Sequence, residues 1–186
     1  MVVTRRKTLG GLGVVVAAGL IPRWAEATTA RGLTLEALSK KSQHIVVGTP
    51  LDSLARYETI AGQKRIVTET RFGIDDEVAN APGDSEILVR TLGGILDGVG
   101  ELVHGEAQLV LNERSVVFLH ARADGVLWLQ GMAQGHYPLR IESQRRLLRV
   151  SPNLPALTAR QDLAVTRLPG RELVEAKRLI REARTR

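Results

Sequence analysis

The chain predicts a mainly β domain, a small antiparallel barrel or sandwich, with a short N-terminal helix and an amphipathic C-terminal helix. Three observations carry this. Runs of four to ten residues with period-two alternation follow one another at close spacing. Turn chemistry separates them, as in Ala61-Gly62 and Asp124-Gly125. Between them lies almost no stretch with helical periodicity.

Taken in order, residues 33–42 have a helical cast, with Thr34 as N-cap and Glu36 in the first turn. Residues 44–49 form a first strand ended by Pro50. Residues 57–60 pair with 65–74 across the Ala61-Gly62-Gln63 turn. In that second strand Ile66, Thr68, Thr70, Phe72 and Ile74 share the core-facing side, and Asp75-Asp76-Glu77 reads as a strand ending in solvated acids. Residues 86–91 follow, then a glycine-rich loop over 92–100. Strands are expected at 107–111 and 115–121, the latter central because Val116 to Leu119 is apolar on both faces. Residues 126–130 return across Ala123-Asp124-Gly125. Residues 137–141 and 146–150 flank a polar turn, and Pro152 and Pro155 end the sheet region. In residues 171–186 Leu173, Ala176, Ile180 and Ala183 line one helical face. The expected division is 1–27, 28–170 and 171–186.

The first segment has its own logic. Arg5 and Arg6 precede an apolar run over 9–21, which is 13 residues long. A bilayer span needs about 20, so a permanent anchor is not expected. Pro22 breaks the run, and Ala25-Glu26-Ala27 offers an A-x-A site with cleavage after Ala27. The layout resembles a twin-arginine (Tat) signal. Thr4, Arg5, Arg6 and Leu9 fit its pattern, while Thr8 stands where phenylalanine is usual and Gly10 where lysine is. The resemblance implies the Tat export machinery and signal peptidase as partners, and a periplasmic or extracellular location. A general secretory signal is the competing reading.

Charge follows the same division. Residues 1–27 carry +3, residues 28–170 carry sixteen charges of each sign, and residues 171–186 carry +3. A neutral body with few aromatics is a poor nucleic-acid binder. Glu172, Glu175 and Glu182 weaken the tail as a membrane-surface helix, and docking on the barrel is favoured. The chain has no cysteine, which excludes disulfide staples, thiol catalysis and thiolate-bound metals.

Few residues suggest chemistry. Gly93 to Gly100 lacks the Lys-Ser/Thr of a phosphate loop. His104 and Glu106 lie on one side of an extended backbone; with His120 and His136 they are candidates for a metal ion. Small residues around Gln134, His136 and Tyr137 mark a candidate ligand cleft. No nucleophile elbow or calcium loop is present, so no catalytic residue and no cofactor is assigned.

Residues 42–49 (Ser-Gln-His-Ile-Val-Val-Gly-Thr), 65–72, 89–94, 104–106 and 113–119 together resemble a layout found in exported bacterial domains. That layout is similar to the netrin/tissue-inhibitor-of-metalloproteinase type of OB barrel. The resemblance implies an OB-like barrel and nothing more. Asn112 stands where the layout has glycine, and the animal inhibitors' cysteines are missing, so protease inhibition is not implied. The expected function is a non-enzymatic envelope domain that binds a protein or other component. The alternative is an exported metal-binding protein or metal-dependent enzyme using His104, Glu106, His120 or His136.

Overall fold

The computed structural model describes residues 30–158 and 161–186. The signal-like segment, with Arg5, Arg6, Ala25 and Ala27, lies outside them. The elements in order are β1 (Ala30–Arg31), α1 (Leu35–Lys41), β2 (His44–Ile60), β3 (Gln63–Ala79), β4 (Glu86–Leu92), β5 (Gly94–Leu96) and β6 (Val99–Glu101). Then come β7 (Ser115–Ala121), β8 (Leu127–Leu129), a 3-10 turn (Met132–Gly135), β9 (His136–Glu142), β10 (Arg145–Leu148), β11 (Leu157–Thr158), α2 (Ala164–Arg167) and α3 (Leu173–Thr185).

Five strands close a ring in the order β2-β3-β4-β8-β7, with β7 returning to β2. Every contact in it is antiparallel except β4 with β8, which is parallel and two residue pairs long. The fork is at β7. One edge pairs with β2, and the other is shared: residues 115–117 meet β9, and residues 119–121 meet β8. The β9–β10 hairpin therefore leads away from the ring. Its outer edge is covered by the chain before α3, where Leu148 donates to Arg171 O at 3.0 Å.

Alternation along these strands builds two cores. Val46, Phe72, Ile87, Val89, Val117, Leu119 and Leu129 fill the ring. Ile45, Val47, Val116 and Phe118 point the other way, onto Leu35, Leu38, Ala164, Leu168, Ala176 and Ile180 of the helical layer. That is why Val116 to Leu119 is apolar at every position: β7 is buried on both faces. Thr34 caps α1 by accepting from the Ala37 N–H.

Four expectations are corrected. Pro50 does not end its strand, which runs on to Ile60. The β2–β7 ladder stops at Gly48, and a register shift lies between Pro50 and Asp52, so the missing N–H falls at a bulge beside a free edge. The acids Asp75, Asp76 and Glu77 sit inside β3, because cations reach them: Arg114 bonds Asp75 at 2.9 Å and Lys177 bonds Asp76 at 2.6 Å. The glycine-rich loop is the β5–β6 hairpin, turning at Asp97-Gly98 with φ of 51° and 76°. Residues 107–111 form no strand: the chain meets the free edge of β2 where Asn112 N donates to Pro50 O at 2.9 Å, without forming a ladder, and Ala107 and Leu109 pack into the ring's core instead.

Candidate functional site

One end of the ring is filled with hydrocarbon and the other is not. Toward the open end, interior-facing positions become small and polar: Ser53 and Ala55 on β2, Thr68 and Thr70 on β3, Thr91 on β4. With the β5–β6 hairpin and residues 102–109 they line a cleft of about 400 Å³, within the range of small-ligand sites.

Local chain geometry shapes its walls. Gly94 has φ of 137°, and a Cβ there would stand 2.3 Å from Thr68 Oγ1. Glycine thus lets the hairpin base press onto β3, where Gly93 donates to Ile66 O at 2.8 Å and Thr68 Oγ1 donates to Gly93 O at 2.7 Å. On the opposite wall the chain turns at His104-Gly105, with Glu106 N donating to Val103 O at 3.1 Å. Gly105 O accepts from Ala133 N at 3.0 Å, which anchors the turn to the barrel.

That turn carries Glu106 inward. The residue is 5 % exposed, and its carboxylate accepts two backbone N–H groups, Leu92 at 3.3 Å and Ala107 at 3.2 Å. Burial pushes its pKa up to about 7, against these hydrogen bonds and the charge of Arg122. Glu101 at the hairpin's end is differently placed. It accepts from Ile66 N at 2.6 Å and pairs with Arg65, and both hold it below the usual carboxylate range.

On the outside of the same strands Arg90, 6 % exposed, lies between Glu69 and Glu58. Arg56 shares both acids. Trp128 is opposite Arg90 on β8, and Arg122 lies over its ring at 3.6 Å. The charges of Arg56, Glu58, Glu69 and Arg90 are each met by an opposite one, and together they hold β2, β3 and β4 across their solvent side.

The four metal candidates are not brought together. His104 is exposed on its turn while Glu106 is inside, since the backbone between them is turned and not extended. His120 is half-buried on β7, opposite Trp128, and burial lowers its pKa. His136 is 2 % exposed, with Nδ1 3.1 Å from Ser151 Oγ; burial lowers its pKa to about 4. Among the described residues no three His, Asp or Glu side chains could share a metal ion.

Gln134, His136 and Tyr137, where a ligand cleft was expected, are all buried, and none of them lines the cleft at the open end of the ring. Gln134 Oε1 accepts from Leu33 N at 2.7 Å and its Nε2 donates to Arg31 O at 3.1 Å, tying the N-terminal segment down. Tyr137 packs edge-on against Phe118, 5.8 Å between centroids. The residues missed were the hydroxyls. Two threonines on the core-facing side of an otherwise apolar strand, Thr68 and Thr70, were the available signal, since a hydroxyl turned inward needs a partner. No protein-family model, curated protein or solved structure matches this chain.

Proposed function

We propose that this chain is an exported, non-enzymatic binding domain of the bacterial cell envelope, and that its ligand site is the cleft around Glu106. The observation that carries the reading is the asymmetry of the ring: packed at one end, and at the other open, hydroxyl-lined and holding a buried acid. Among the lining residues Ser53 has no histidine or lysine beside it to act as a base, which favours binding over acyl transfer. An OB-like barrel fits the five-stranded closure with one parallel contact, and barrels of that kind bind ligands with their sheet and loops. The similarity to netrin-type barrels supports the same architecture. The twin-arginine segment would deliver the domain already folded, through the Tat machinery and signal peptidase, to the periplasm or beyond.

Two measurements test this. Changing Arg5 and Arg6 to lysine should leave the precursor inside the cell; undiminished export would overturn the Tat route. In the second, labelled protein is titrated with the small-molecule fraction of a native envelope extract. Amide shifts should concentrate at Thr68, Thr70, Thr91, Gly94 and Glu106. Shifts confined to other surfaces would overturn the assignment of the cleft.

A further inference from the structure

The geometry points to the class of ligand, on the premise that the cleft is the binding site: an organic cation, with an ammonium or guanidinium head at Glu106 and an apolar body against the rim. The cleft lining includes two carboxylates and no lysine or arginine. Glu101 is already satisfied by Arg65 and by the Ile66 N–H. Glu106 has only two long backbone contacts, so it is the acid left for a ligand. Groups on every neighbouring element agree. β2 presents Ser53 and Ala55, β4 presents Thr91 and Leu92, and the loop between β10 and β11 contributes Asn153. Arg122, the cation that acts on Glu106 through space, lies over Trp128 and does not line the cleft.

A buried carboxylate facing hydroxyls admits a cation and repels an anion; an ionised Glu106 facing a neutral ligand would stay uncompensated. The hydroxyls supply acceptors for the remaining N–H groups of an ammonium or guanidinium. Beyond the head, Ile95 and Leu102 are each 76 % exposed at the rim of the cleft. Apolar side chains held in solvent beside a polar pocket suit a ligand with a hydrocarbon portion.

The test compares three probes of one shape, 4-phenylbutylamine, 4-phenylbutan-1-ol and 4-phenylbutyrate, titrated into the labelled full chain at pH 7.5. The amine should bind at the cleft amides at least about tenfold more tightly than the alcohol, and the carboxylate weakest. Glu106→Gln should bring the amine to the alcohol's level, with the spectrum otherwise native. Asn153→Arg, a change at a partly exposed rim position, should weaken the amine and strengthen the carboxylate, which keeps the test open if Glu106→Gln folds poorly. Equal binding of amine and alcohol, or amine binding undiminished in both variants, overturns the cation proposal and leaves the cleft as a site. Failure of all three probes to shift any cleft amide overturns both.

Discussion

Two buried groups give the protein its pH behaviour, with opposite signs. Glu106 has a folded pKa of about 7 against an ordinary 4.5. Between those values the folded protein holds a proton that the unfolded chain has released, so stability falls as pH rises through that window. His136 runs the other way, with a folded value of about 4 against 6.5. There the unfolded chain takes up a proton that the folded protein refuses, so stability falls as pH drops from 6.5 toward 4. Each arm is worth at most about 3.5 kcal/mol, from 1.36 kcal/mol per pKa unit. Glu69 and Glu101, held low by their arginines, add acid sensitivity only below the ordinary carboxylate value. The two arms nearly cancel between pH 4.5 and 6.5 in the wild type, so each is read as a difference: thermal melts should show Glu106→Gln gaining on wild type as pH rises from 5 to 8, and His136→Gln gaining on wild type as pH falls from 6.5 to 4. Parallel wild-type and Glu106→Gln curves would mean that the acid is better solvated than its burial indicates. At this scale the sequence was hard to read. Glu106 stood out only as a neighbour of His104, and one glycine turn between them sends the two side chains to opposite sides of the chain surface.

At the level of elements, turns decided what was legible. The Asp124-Gly125 hairpin and the Ser115–Ala121 strand were readable because their local chemistry and their tertiary role agree. Asp97-Gly98 carries the same signal, but Gly93, Gly94 and Gly100 around it erase the alternation that would mark strands. The 107–111 run failed for the opposite reason: its pattern is strand-like, but its alternate apolar residues Ala107 and Leu109 pack into the ring's core without a ladder to a neighbouring strand. The β2–β3 turn is a stored inefficiency. Ala61 holds φ of 50° ahead of Gly62 at 78°, a two-residue geometry that suits Asn-Gly and strains alanine. Ala61→Asn should therefore stabilise the protein by about 0.5–1 kcal/mol, seen as a higher urea midpoint with an unchanged slope. A lower midpoint would show that the hairpin tip is not formed as described.

The whole molecule is a ring whose outer face is finished by helices, and that accounts for the basic tail. Three of its six cations are engaged in the fold, Lys177 with Asp76, Arg181 with Val78 O at 2.9 Å, and Arg184 with both Ser39 O and Ser42 O at 2.8 Å, and two more, Arg171 and Arg178, pair with Glu175 and Glu182 within the tail. Arg184 thus serves the carbonyl end of α1, where a positive charge is favoured. The tail's apolar positions divide as sharply. Ile180 is fully buried against Leu35, Leu38 and their neighbours, whereas Val174 is 79 % exposed. Ile180→Ala should cost about 2–5 kcal/mol, and Val174→Ala should stay within about 0.5 kcal/mol of wild type. Deleting residues 171–186 uncovers the same core and should abolish the native amide spectrum altogether. A truncated chain that keeps its native spectrum would show that the ring's interior, from Val46 to Leu129, holds the barrel without its outer layer. The helical layer would then be an attachment and no longer one of two interdependent cores.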